Sequence, residues 1–150
     1  VKKKARYFKQ SGVIPMYKGK VVLVTARGGK RWIVPKGSIP WELTAQESAA
    51  MEALEEGGIK GQVLPEEIGT YTYEKYGGRY KVKLYFMEVE KLKKNWQEEA
   101  FRKRKSFTPK QAIKKVVPAA VSKIMARYFH ENHHLIKSAK KSSKKKKEKA

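Results

Sequence analysis

The sequence predicts an α+β domain on three grounds. Short β-branched runs broken by Lys-Gly and Gly-Gly fill "SGVIPMYKGKVVLVTARGGKRWIVPKG", Ser11 to Gly37, the pattern of a hairpin followed by a further short strand. Thr44-Ala45-Gln46-Glu47 has the form of a capping box and opens a stretch that Gly57 and Gly58 close, as expected of a helix. Tyr71 and Tyr73, then Tyr80, Val82, Leu84 and Phe86, recur at every second position, which is the period of a strand with one buried face.

In order, strands are expected near Gly12–Tyr17, Val21–Ala26 and Arg31–Val34, and a helix from about Ala45 to Glu56. The stretch from Gly61 to Glu90 is expected to hold a short strand, a loop, and two longer strands turned at Gly77-Gly78. "FRKRKSF" fits one more strand. Thr108-Pro109 suits the first turn of a helix running through Lys115. Pro118 interrupts it, and a second helical segment is expected to reach about Phe129. No internal repeat is visible, so the strands group around one central and one C-terminal helical region. The expected organisation is a basic lead-in over residues 1–9, a domain over 10–130 and a lysine-rich tail over 131–150.

The chain has 150 residues, 40% of them hydrophobic and 11% aromatic, enough for one domain with a genuine core. There is no cysteine, which removes disulfides, thiolate nucleophiles and cysteine-based zinc sites and accords with a reducing interior. No apolar run approaches the roughly 18 residues of a membrane span, and the lysine-led start lacks the apolar centre of a signal peptide. A cytoplasmic protein with no membrane partner is therefore expected.

Lys and Arg number 36 against 14 acids, all Glu, for a formal charge of +22. Such a field draws polyanions. "KSAKKSSKKKKEKA", Lys137 to Ala150, has no apolar residue larger than alanine and is expected to be disordered. It is either a solubilising tail or a weak adhesive for nucleic acid or polyphosphate.

Against this background the acids are unevenly placed: seven of the 14 glutamates lie between Glu42 and Glu67. At about 100° per residue, Glu52, Glu55 and Glu56 share one helix face, while Ala50, Met51 and Leu54 point away. Like charges at this spacing repel, and anions in a last turn meet the negative end of the helix dipole. Something cationic must compensate. Lysine or arginine neighbours on a solvated face are one solution. A divalent ion is the other, because Mg²⁺ takes hard oxygen ligands and commonly shares its shell with phosphates.

Counted from Gly37, the region resembles the Nudix box, which in that family reads G-x5-E-x7-R-E-U-x-E-E-x-G-U with U a bulky aliphatic. Gly37, Glu52, Glu55, Glu56, Gly58 and Ile59 stand in register, with Ala53 at a U position. Leu43 stands where the family has its first Glu, and Met51 where it has Arg. "QSGVIPM", "VVLVTARGGKRWIVPKGSIP" and "NWQEEAFRKRKSF" resemble the surrounding segments in the subgroup similar to diphosphoinositol polyphosphate phosphohydrolases and diadenosine polyphosphate hydrolases. Ser106 replaces a Trp common there. The similarity spans roughly Gln10 to Phe129.

The resemblance implies a Nudix fold, a mixed sheet sandwiched between helices (α/β/α), and a Mg²⁺- or Mn²⁺-dependent pyrophosphohydrolase. Its implied substrate is a nucleoside or dinucleoside polyphosphate or an inositol pyrophosphate. Glu52 and Glu56 are the implied metal ligands, and Glu55 is the implied general base or a further ligand through water. Arg27, Lys36 and Gly37 fall at implied substrate-binding positions, with Lys30, Arg31 and Arg79 as further candidates. Met51 cannot steady a glutamate as an arginine does, unless Lys36 or another cation substitutes. The alternative is a catalytically impaired Nudix-like module that binds RNA or polyphosphate through its basic surface. Tyr71, Tyr73, Tyr76 and Tyr80 are core candidates first and base-stacking candidates second. "HENHH", from His130 to His134, reads as tail rather than a zinc site. Oligomeric state is not encoded legibly.

Overall fold

A computed structural model describes residues 6–134. Most of the expected tail, and the first half of the lead-in, lie outside the described residues. The elements run β1 (Phe8–Tyr17), β2 (Lys20–Thr25), β3 (Trp32–Ile33), β4 (Lys36–Ser38), α1 (Ala45–Gly57), β5 (Ile59–Lys75), β6 (Gly78–Leu92), β7 (Arg104–Phe107), α2 (Pro109–Lys115) and α3 (Ala119–Glu131).

They form a seven-stranded sheet with the path β3-β2-β1-β6-β5, to which β4 adds against β1 and β7 against β2. β1 and β6 pair in parallel while the other pairs are antiparallel, so the sheet is mixed. β1 is central, and its outer side is shared between β4, at Gln10 to Gly12, and β2, at Met16 and Tyr17. Val13 N–H reaches Pro35 O at 3.1 Å. Backbone groups alternate sides along a strand, so Pro15 faces the gap between those two pairings, where a missing N–H breaks no ladder bond.

Two apolar layers flank the sheet. Val13, Val22, Tyr85 and Met87 pack under Ala49 and Ala53 of α1. On the other face Ile14, Leu23, Leu84 and Phe86 pack against Ala112 of α2 and Val121, Met125 and Phe129 of α3. The helices sandwich the sheet as expected.

β5 corrects the expectation of a short strand and a loop before Tyr71: it is one strand of 17 residues. Its pairing with β6 shifts at Lys60/Gly61, Val63/Glu67 and Glu67/Gly69. These irregularities bend the strand and spoil the alternation that would have signalled it, as bulges do. β4, only three residues long, was not foreseen as a strand. No helix among the described residues is long and apolar enough to cross a membrane.

Candidate active site

α1 begins as expected. Thr44 Oγ1 accepts from Glu47 N–H at 3.1 Å, and Glu47 Oε1 accepts from Thr44 N–H at 3.0 Å. The helix stops at Gly58, which is left-handed with φ 62°; a side chain there would also strike Trp96. No basic residue lies in the last turn. The compensation comes from β7: Arg104 Nη1 donates to Gly57 O at 2.8 Å, placing a guanidinium at the negative end of the dipole.

The acids of the last two turns are held by groups distant in sequence. Glu56, only 5% exposed, accepts from Lys36 N–H at Oε2 (3.1 Å) and faces Arg102 Nη2 from Oε1 at 3.5 Å. The carboxylate of Glu52 lies directly against Gly37, leaving no space for a Cβ there. Glu98 N–H donates to Glu55 O at 3.0 Å, which docks the loop after β6 on the end of α1. Glu98 Oε1 then accepts from Arg102 Nε at 3.1 Å. Arg102 also donates through Nη1 to Thr25 O at 3.0 Å.

Burial, then repulsion from Glu55 and Glu98, push Glu52 up to about 7. Burial pushes Glu56 up to about 8, against the pull of Arg102, with Glu52 adding to the rise. Burial is the larger cause in both, and Arg102 does not offset it, so ionising both carboxylates together near neutral pH calls for further positive charge. Hard oxygen donors short of positive charge, beside a backbone cradle with no side chain, fit Mg²⁺ or Mn²⁺. Among the described residues no three acidic or imidazole groups gather tightly enough to hold an ion alone. A cation here would therefore use a few carboxylates and complete its shell with water and phosphate oxygens, the common habit of Mg²⁺.

Lys36 joins this cluster to an open cleft of about 450 Å³ lined by Arg31, Lys36, Tyr71, Tyr73, Val117 and Pro118 among others. Its backbone serves Glu56, while its Nζ lies 3.0 Å from Tyr73 Oη and 4.6 Å from the centre of that ring. Tyr73 Oη donates to Gln10 Oε1 at 2.7 Å. Tyr73 stacks on Tyr80 with ring centres 4.9 Å apart. Tyr71 is a core residue whose hydroxyl is buried without a partner; burial, then Tyr73 and Glu56, keep it protonated.

Glu52, Glu55, Glu56 and Gly37 are thus brought together at the last turns of α1, and Lys36 links them to the cleft, where Arg31 lies with Tyr71 and Tyr73 on the α2–α3 side of the sheet. Arg27 and Lys30 are exposed in the β2–β3 loop, where Arg27 stacks 4.5 Å over Phe101 instead of lining the cleft. Arg79 is not brought there either. It is exposed and ion-paired with Glu74 at 3.3 Å, and strand alternation turns it to the face opposite Tyr80. Tyr76 projects from the β5–β6 turn at 95% exposure and packs on no core. Met51 lies in a hollow with Leu54 and Trp96; the cation reaching the acids is Arg102. Glu98 and Gln10 were missed. The sequence traces of the former are the i,i+4 spacing of Glu98 and Arg102 and its place in the resembling segment "NWQEEAFRKRKSF".

The family model for the NUDIX domain matches residues 7–129. Nudix hydrolase 16, mitochondrial, of Arabidopsis thaliana is 29% identical over 101 residues, 62% of this chain and 56% of that protein, so the chain spans just over half the length of this curated relative. Among solved structures, a NUDIX hydrolase from Nitrosomonas europaea superposes with a TM-score of 0.67 at 18% identity, over 84% of this chain and 90% of that one. The C. elegans Ap4A hydrolase gives 0.65 at 20% identity, over 82% and 96%. Such structural likenesses carry the fold alone. With the glutamate register on α1 and a family match across nearly all the described residues, the chain belongs to the Nudix family.

Proposed function

We propose that this protein is a divalent-metal-dependent pyrophosphohydrolase that cleaves a phosphoanhydride bond in a nucleoside or dinucleoside polyphosphate or an inositol pyrophosphate. The observation carrying this is the carboxylate cluster of Glu52, Glu55, Glu56 and Glu98 beside a cleft that presents Lys36 and Arg31. Glu52 and Glu56 would hold Mg²⁺ or Mn²⁺, which when bound neutralises phosphate charge and acidifies water. Lys36 and Arg31 bind phosphate oxygens by charge-assisted hydrogen bonds. Glu55 accepts a proton from the attacking water. The new P–O bond forms from that water, the bridging P–O bond breaks, and the bridging oxygen leaves with one phosphoryl fragment. Arg102 fixes Glu56 and Glu98 without touching substrate.

We take residues 10–130 as the catalytic domain. We keep the cytoplasm as its compartment on composition alone, with weak polyanion adhesion as the role of the tail. The test is the appearance of cleavage products, resolved by chromatography, from diadenosine tetraphosphate, an inositol pyrophosphate and capped RNA, with Mg²⁺ or with EDTA. Glu55→Gln should lower turnover about 10²-fold or more on whichever compound is cleaved. Unchanged turnover removes Glu55 from the mechanism, and cleavage in EDTA refutes the metal.

A further inference from the structure

The sheet face that carries α1 continues past that helix without a cover. On β1, Lys9, Ser11 and Val13 alternate onto this face, and on β6 so do Lys81, Lys83 and Tyr85. Val13 and Tyr85 lie under α1, while Lys9, Lys81 and Lys83 are exposed. Lys9 sits directly opposite Lys81 in the parallel ladder, and Lys83 is two residues further along. Thr70 and Thr72 of β5 stand opposite Lys83 and Lys81, adding hydroxyl groups to the same patch.

This arrangement is costly for the fold. Like charges directly opposite on neighbouring strands repel. Among the described residues none of the three lysines has an ion-pair partner, and the nearby Glu74 is taken by Arg79. Edge protection, the usual reason for lysine on a strand, does not apply, because β1 and β6 are interior strands. Beside the patch, Ile39 N–H donates to Lys9 O at 3.1 Å and starts the loop that carries the chain from β4 onto this face. That loop holds Trp41, a large aromatic left 91% exposed.

We infer that this face is a second anion-binding surface, separate from the cleft, which takes single-stranded nucleic acid. Its lysines contact successive phosphates and Trp41 stacks on a base. Lys81 and Lys83, about 7 Å apart along β6, match the separation of neighbouring phosphates in an extended single strand, Lys9 flanks them across the ladder, and exposed aromatics beside a cationic track are how such strands are held without sequence preference. A free polyphosphate would find the cations but have no use for the indole. The cleft plays no part: its residues lie on the opposite face of the sheet.

The test uses the full chain and a labelled 12-residue oligouridylate, titrated at several salt concentrations, with inorganic polyphosphate as the comparison. Lys9→Gln/Lys81→Gln/Lys83→Gln removes three contacts and should reduce the slope of log K against log salt by about 2. The control, Lys60→Gln/Lys91→Gln/Lys94→Gln, removes the same charge from exposed positions at the far end of the β5–β6 pair and should change the slope by less than half as much. Trp41→Ala should weaken oligouridylate about fivefold or more and leave polyphosphate binding unchanged. Equal losses in the two triple variants would reduce the patch to net charge and overturn the assignment. So would a Trp41→Ala effect no larger for oligouridylate than for polyphosphate.

Discussion

Arg102→Leu tests most of the site's electrostatics at once. The guanidinium is 11% exposed and serves three oxygens, Thr25 O at 3.0 Å, Glu98 Oε1 at 3.1 Å and Glu56 Oε1 at 3.5 Å. Removing one partner of a buried ion pair costs about 3–5 kcal/mol. Glu56, already pushed up to about 8, relieves part of that by keeping its proton near neutral pH. A loss near 3 kcal/mol is therefore expected, about 10 °C in Tm for a domain of this size. Calorimetry in EDTA measures it. Repeating the scan with Mg²⁺ reads the second half of the prediction: the variant's cluster carries one positive charge fewer, so the cation should stabilise it more than wild type. A fall below 3 °C in EDTA, or equal Mg²⁺ increments in both proteins, would refute this account of how Glu56 and Glu98 are held.

Two further outcomes follow. Because burial, then repulsion from neighbouring carboxylates, raises Glu52 to about 7 and Glu56 to about 8, their contribution to the metal-free fold is complete below the ordinary carboxylate range. It is lost as pH rises through 7 and 8. Wild type in EDTA should thus lose stability relative to Glu52→Gln/Glu56→Gln between pH 5 and 9, measured by denaturant titration; a constant difference would contradict the raised values. Gly37→Ala puts a methyl group where the Glu52 carboxylate lies. That carboxylate ends a flexible side chain and can swing aside, so stability should fall by no more than about 1 kcal/mol while Mn²⁺ affinity falls about tenfold or more. Unchanged affinity would remove the cradle from the site.

The elements with strong local signals were legible. The Thr44–Glu47 reciprocal cap, the glycine stop at Gly58, the Thr108-Pro109 helix start and the Tyr80 to Phe86 alternation each depend on residues within one turn or one strand. β5 was misread because its bulges destroy the period from which a strand is recognised. At the site, the glutamate register on α1 was readable and so was the need for a compensating cation, but its source was not. Arg102 reaches Glu56 only because β7 pairs with β2 beside the end of α1, a juxtaposition of residues 46 apart. Strand alternation turns half of "RKRK" inward, and the structure shows that the half is Arg102 and Arg104. Arg79 failed for the converse reason, since its parity on β6 sets it with Lys81 and Lys83 rather than with Tyr80.

Titration of the metal-free full chain with Mn²⁺, followed by calorimetry with a non-hydrolysable dinucleoside polyphosphate present, bears most directly on the carboxylate cluster. Uptake of Mn²⁺ with release of protons near pH 7, lost or weakened at least tenfold in Glu52→Gln and in Glu56→Gln, is the predicted result. No uptake in wild type, or uptake indifferent to both substitutions, would contradict a divalent-cation site on α1.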